Sequence, residues 1–343
     1  MTTSSSTPDP LGKPLALTMG CPVGIGPEII IRYFSHPDCP FHEQIVVVGD
    51  IAVLRGVIRA LSVPLDAVSW SPGEKIEPGT VPVYPVSNLE YDETRWGKPD
   101  VETGKVMGQY IEKSVQLVQK DHAAALVTCP ISKYSFHLAG YPFPGHTEML
   151  ASLTGTKNYR MMMAGEKLRV ILVTIHEALE KVPSLLNQNS IVDCIAMTMA
   201  SLKRDFGLPC PRVAVAALNP HGGEGTMFGD QEELIITPAV QSCRHLGDVS
   251  GPWPPDTVFY QAAAGRYDAV IAMYHDQGLI PFKLLHFENG VNVTLGLPIV
   301  RTSVDHGTAY DIAGRWLADE KSLAAAVSMA ADIVSNRKKA MGR

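Results

Sequence analysis

Residues 169–176 read RVILVTIH, residues 212–221 read RVAVAALNPH and residues 268–275 read DAVIAMYH. Each is a continuous apolar run that closes on a histidine. A strand with one face in water alternates apolar and polar residues, whereas a strand covered by helices on both faces does not. The three segments therefore predict strands of a helix-covered sheet, with His176, His221 and His275 at their C-terminal ends. Working outward, runs of the same kind recur at Leu15–Met19, Gln44–Gly49, Ala123–Thr128 and Val291–Leu297. Helical stretches lie between them. Glu102–Lys120 carries Val106, Tyr110 and Leu117 on one stripe, and Ser190–Phe206 stops at Gly207. Ser322–Met341 is apolar early and basic at its end, through Arg337, Lys338 and Lys339. Strand–helix alternation makes this an α/β protein. The proline- and glycine-rich stretches around residues 70–100 and 247–256 read as loops.

The chain has 343 residues, enough for about two domains. No linker separates two halves, so any division is expected to be discontinuous. With 35 acidic and 29 basic residues the net charge is −6, which argues against a nucleic-acid binder. A local cluster of cations could still hold an anion. Cys21, Cys39, Cys129, Cys194, Cys210 and Cys243 form no CxxC pair and read as free thiols of a reducing compartment. The first ten residues, MTTSSSTPDP, lack an apolar core and read as a disordered tail rather than a signal peptide. No apolar run approaches the length of a membrane helix. These features predict a cytoplasmic protein.

One local pattern imitates a dinucleotide site. Leu15–Met19, the glycine loop 20–26, a helix over Pro27–Ser35 and a second strand ending before Asp50 look like a βαβ unit. The detail fails. A GxGxxG run starting at Gly24 needs glycine or alanine where Ile29 stands, and Pro27 removes a backbone N–H from the phosphate position. Gly20, Gly24 and Gly26 still allow close approach to the backbone.

In open α/β sheets the ligand crevice lies outside the C-terminal strand ends. Three imidazoles there, completed by water or substrate, would make an open metal site, with Asp256 and Asp276 as outer partners or base. A single histidine at a strand end is more often a hydrogen-bonded loop residue. The case rests on three, each bordered by turn or acidic residues. A second constellation suits an anion. Lys283, Asn292 and Arg301 follow His275 by 8, 17 and 26 residues, on or beside the run Val291–Leu297 and the loop after it. PGHTE, residues 144–148, puts His146 and Thr147 just ahead of a helix, with Thr147 as its cap.

The segments MGCPVGIGPE, PFPGHTE, VTIHEAL, LNPHGGEG, PPDTVF, AMYHDQGL and GVNVTLGLPIVRTSVDHGTA occur in order along the chain. Together they resemble the 4-hydroxythreonine-4-phosphate dehydrogenase family of pyridoxal phosphate biosynthesis, from about residue 14 to 335. That resemblance implies a two-domain α/β fold of the isocitrate/isopropylmalate dehydrogenase kind, with the active-site cleft between domains. The expected division is 14–135 plus 298–343 on the nucleotide side, and 136–297 for metal, substrate and dimerisation. It implies a divalent metal (zinc, magnesium, cobalt or manganese) on His176, His221 and His275. Phosphorylated substrate would lie on His146, Thr147, Lys283, Asn292 and Arg301. NAD or NADP would lie near Gly24, Gly26, Asp305, His306, Gly307 and Thr308. A homodimer with a shared active site is implied as well.

The expected reaction oxidises 4-phosphooxy-threonine to a 2-amino-3-oxo acid that loses CO₂ to give 3-amino-2-oxopropyl phosphate. Asp256, Asp276 or Lys283 would take the hydroxyl proton. Cys21 and Val23 depart from the family pattern, where an acidic residue and an alanine are more usual. Related dehydrogenases of 4-phospho-threonate or erythronate, or of aromatic cis-dihydrodiol carboxylates, are the nearest alternatives. A metal-dependent hydrolase or aldolase would turn over without nucleotide, and a phosphosugar-binding protein would not turn over at all.

Overall fold

The computed structural model describes residues 11–342, so the tail read over residues 1–10 lies outside the described residues. The strands are β1 (Leu15–Thr18), β2 (Ile45–Gly49), β3 (Asp66–Ser69), β4 (Thr80–Pro85), β5 (Ala125–Thr128), β6 (Arg160–Ala164), β7 (Arg169–Leu172), β8 (Arg212–Ala216), β9 (Asp248–Trp253), β10 (Ala269–Ala272), β11 (Val291–Leu295) and β12 (Arg301–Val304). The chain divides into two compact units. One holds the residues up to His146, Gly307–Glu320 and those from Val327 on; the other holds Thr147–His306 and Lys321–Ala326.

In the first unit the strands run β3-β4-β2-β1-β5, all parallel. Every residue of β1, β2 and β5 is buried, as the unbroken apolar runs require. Each fully buried leucine, isoleucine or valine here stabilises by about 1.5–3 kcal/mol. β4 lies inside a stretch read as loop. Its prolines, Pro82 and Pro85, hid the strand, yet Val81 and Val83 are wholly buried beside the edge strand β3. Asp50, the acid of the false nucleotide pattern, is spoken for. Its carboxylate caps the helix Ile51–Leu61 through Ala52 N (2.9 Å) and Val53 N (3.2 Å). It also accepts from Ser87 Oγ (2.8 Å) and Leu89 N (2.7 Å).

In the second unit the order is β12-β11-β6-β7-β10-β8-β9. Strands β7, β10, β8 and β9 are parallel, whereas β6 runs antiparallel to both β7 and β11, and β11 to β12. β9 occupies the other stretch read as loop. As an edge strand it tolerates Gly251 and Pro252, with a register shift opposite Ala214 and Ala216. The core packs Val170, Leu172, Ala214, Val270 and Ala272 against Val258, Phe259 and Phe282. All six cysteines are free thiols. Among the described residues no helix is long and apolar enough to cross a membrane.

Asp50→Ala strips the acceptor from three backbone amides and a hydroxyl in a buried place. It is expected to lower the unfolding free energy by about 3 kcal/mol, with Asp50→Asn costing roughly half as much. Urea titration followed by circular dichroism measures both.

Candidate active site at three strand ends

The strands that lead to the three histidines are immediate neighbours in the sheet, in the order β7-β10-β8, and all point the same way. Adjacent strands lie about 4.8 Å apart, so their C-terminal turns crowd together. Polar side chains tie these turns. Gln277 accepts from Met273 N through Oε1 (2.7 Å) and donates through Nε2 to Ala217 O (2.7 Å). Thr174 Oγ1 donates to Met273 O (2.7 Å). The ends of β7, β10 and β8 are thereby linked through side chains as well as through the ladder.

The His176 and His275 rings face each other with centroids 5.7 Å apart. His275 opens the helix His275–His286, and its Nδ1 lies 2.7 Å from Asp276 Oδ1. Donation from Nδ1 to that carboxylate leaves Nε2 as the electron-pair donor. The His221 ring lies 6.3 Å from that of Phe228. Its turn is unusual. Residues 221–226 all have positive φ, including His221 at 54°, Glu224 at 42° and Thr226 at 73°. A non-glycine residue in that region costs about 1 kcal/mol. Glycines 222, 223 and 225 supply the freedom the remainder of the turn needs. The helix Pro255–Ala263, with exposed Asp256 in its first turn, packs against this turn.

Three imidazoles with neighbouring carboxylates are a donor set that fits a divalent cation. The three histidines together do not offer nitrogens that all lie within 4.8 Å of one another. The group that does meet this spacing is His36, Cys39 and Glu320, which the sequence reading passed over. His36 and Cys39 are joined by a tight turn, Cys39 N to His36 O at 3.1 Å.

The anion-binding candidates are held in several ways. Arg301 opens β12 rather than lying in a loop, and its Nη1 donates to Thr294 Oγ1 of β11 at 3.0 Å. It is 3% exposed, and burial pulls its guanidinium down to about 10 while Glu148 opposes the shift. Glu148 follows Thr147 in the helix His146–Leu153, so Thr147 sits inside the first turn and does not form the cap. Asn292 Oδ1 is buried without a hydrogen-bond partner among the described residues. Lys283 lies eight residues beyond His275 on the same helix, roughly 12 Å along its axis. It pairs with Asp305 Oδ2 at 2.5 Å and donates to Asp305 O at 2.9 Å. Burial raises the Asp305 carboxyl above its usual range, and the Lys283 contact opposes that rise.

In the first unit, the glycines of the first loop are explained by packing. A Cβ on Gly26 would stand 2.2 Å from Met19 O, and one on Gly24 would stand 3.1 Å from Thr308 O. Ile25 N donates to Thr308 O at 3.2 Å, so this loop and the stretch Gly307–Thr308 are one assembly. At Gly307, by contrast, the space a side chain would fill is open. Cys21 is buried under Tyr310, whose hydroxyl lies 3.3 Å from its sulfur, and burial pushes the Cys21 thiol up.

Residues 41–330 match the family described as "Pyridoxal phosphate biosynthetic protein PdxA". A 4-hydroxythreonine-4-phosphate dehydrogenase from Desulfosudis oleivorans is 52% identical over 326 residues, which is 93% of this chain and 95% of that protein. A D-threonate 4-phosphate dehydrogenase from Salmonella typhimurium is 42% identical over 93% of this chain and 98% of that protein. The crystal structure of 4-hydroxythreonine-4-phosphate dehydrogenase from Klebsiella pneumoniae superposes with a TM-score of 0.84 at 42% identity, covering 94% of this chain and 98% of that one. With the family match spanning most of its length and full-length relatives this similar, the chain belongs to the PdxA family of pyridoxal phosphate biosynthetic proteins.

Proposed function

We propose that this chain oxidises 4-phosphooxy-threonine with NAD or NADP, and that the 2-amino-3-oxo acid formed loses CO₂ to yield 3-amino-2-oxopropyl phosphate. The observation that carries this reading is the set of three neighbouring parallel strands whose following turns lead to His176, His275 and His221, in a chain 52% identical to a protein named for that activity. Zinc, magnesium, cobalt or manganese on the three histidines would polarise the substrate hydroxyl, and the nicotinamide would take the hydride.

The chain's own residues supply the rest. Asp276 fixes the His275 ring. Asp256 is exposed on the helix against the His221 turn, where it can take the hydroxyl proton; Asp276 and Lys283 are the other groups able to do so. Arg301, Asn292, Thr147, His146 and Lys283 hold the phosphate, which relieves the cost of keeping Arg301 buried and cationic. Gly24, Gly26, Asp305, His306, Gly307 and Thr308 serve the nucleotide. Residues 136–297 form the metal, substrate and dimerisation domain, and 14–135 with 298–343 form the nucleotide domain. Six free thiols suit a cytoplasmic setting.

A homodimer with a shared site has support in one helix. His275–His286 carries both His275 and Lys283, and it exposes Ile280, Leu284 and, just beyond it, Phe287. A second copy covering that stripe would stand beside both site residues. Oxidation of D-threonate 4-phosphate is the second reading, favoured by the 42% identical relative of that name.

NADH formation from 4-phosphooxy-threonine is expected to exceed that from D-threonate 4-phosphate; the reverse order would establish the second reading. His221→Ala should lose at least about 100-fold in kcat/KM with an unchanged far-ultraviolet spectrum. Arg301→Met should raise KM for the phosphorylated substrate by about 10-fold or more while the melting temperature holds or rises, because a buried cation is removed. Leu284→Glu with Phe287→Glu should shift the protein from dimer to monomer in sedimentation velocity, with loss of activity.

A further inference from the structure

The turn that carries His221 is held from behind by a buried carboxylate. Glu232 is 6% exposed and opens a π-helical turn, Glu232–Ile236, that leads into the helix Thr237–Cys243. Its Oε1 accepts from two successive backbone amides, Leu218 N and Asn219 N, both at 2.8 Å. Its Oε2 accepts from Asn219 Nδ2 at 3.0 Å, and the same amide group donates to Gln231 Oε1 at 2.7 Å. No lysine or arginine pairs with Glu232 among the described residues. This carboxylate is satisfied by the backbone just ahead of His221.

The fit is close. A Cβ on Gly223 would stand 2.8 Å from Glu232 Oε2, and one on Gly229 would stand 2.5 Å from Asn219 Nδ2. The turn is therefore moulded around the Glu232–Asn219 contact. From that anchor the chain enters six successive residues with positive φ, starting at His221. Such a run has no regular ladder of its own, so its placement depends on what holds its ends. On the upstream side the hold is Glu232; one step further back Gln277 Nε2 holds Ala217 O at 2.7 Å.

We propose that Glu232 is a positioning residue for His221: by clamping Leu218 N and Asn219 N it determines where the His221 imidazole stands relative to His176 and His275. The inference rests on the reading of these histidines as metal ligands. Glu232 does not touch the metal or substrate. It acts through the backbone, as an outer partner commonly does. Glu232→Gln keeps the size but replaces one acceptor oxygen with a donor, which opposes either the two amides or Asn219 Nδ2. Glu232→Asp keeps the charge and shortens the reach.

The test is titration of the metal-free full-length protein with Co²⁺, read by its visible d–d absorption and by calorimetry. Thermal melting is recorded alongside. The wild type, His221→Ala, Glu232→Gln and Glu232→Asp are compared. Glu232→Gln is expected to bind Co²⁺ about 10–100-fold more weakly with an altered absorption band, and Glu232→Asp to fall between it and the wild type. In the enzyme assay kcat of Glu232→Gln should recover at saturating Co²⁺, and a wild-type melting temperature of the metal-free variant separates weakened binding from mere instability. If Glu232→Gln does not fold, Glu232→Asp carries the same comparison. Wild-type Co²⁺ affinity and spectrum in both Glu232 variants, with His221→Ala defective, would overturn the positioning role alone. An unaltered Co²⁺ titration in His221→Ala would instead overturn the metal reading beneath it.

Discussion

The parallel pairing of β7, β10 and β8, reinforced by the side chain of Gln277, is the constraint on which the site depends. Gln277 is 8% exposed, and it satisfies a backbone donor after one strand and a backbone acceptor after its neighbour. A buried amide with both ends engaged cannot shift without orphaning a polar group, at a cost of about 1–3 kcal/mol. The ends of β10 and β8 are therefore held in one relation, which His275 and the approach to the His221 turn inherit, and Thr174 ties the strand leading to His176 to the same point at Met273 O. The helix that starts at His275 carries this order onward, through Lys283, to Asp305 after β12.

Around this rigid frame the site keeps features that oppose stability. Residues 221–226 occupy left-handed backbone, Arg301 is buried as a cation and Asp305 is a partly buried carboxylate. The apolar strands offset them. β7, β10 and β8 bury Val170, Ile171, Leu172, Val213, Val215, Val270 and Ile271 completely. Such a division is expected where binding needs polar groups in fixed places. Arg301 shows the logic most plainly: a guanidinium out of water has a stronger attraction for an incoming anion than one on the surface.

Much of this was legible in the residues. The strands leading to the histidines, the helices Val101–Gln119 and Lys321–Met341 and the rejection of Asp50 as a nucleotide contact follow from apolar runs and local chemistry. The elements that escaped did so for identifiable reasons. β4 and β9 contain prolines, and edge or near-edge pairing tolerates a missing donor that a central strand would not. β12 begins at a charged arginine, so no apolar run announces it. Thr147 looked like a cap because the helix start was placed two residues late.

By itself the sequence determined that the sheet is covered on both faces, which strand ends carry imidazoles and which family the chain resembles. Those properties are written in local patterns: runs, turns and motif order. Only the tertiary structure decided that β7, β10 and β8 are neighbours, because strand order depends on packing between distant segments. It alone showed that Asp276 engages His275, that Lys283 is paired with Asp305, that Met19 leaves no room for a side chain at Gly26 and that Thr308 crowds Gly24. It alone found Glu232 behind the His221 turn. Hydrogen bonds made across a fold leave no spacing in the sequence to read.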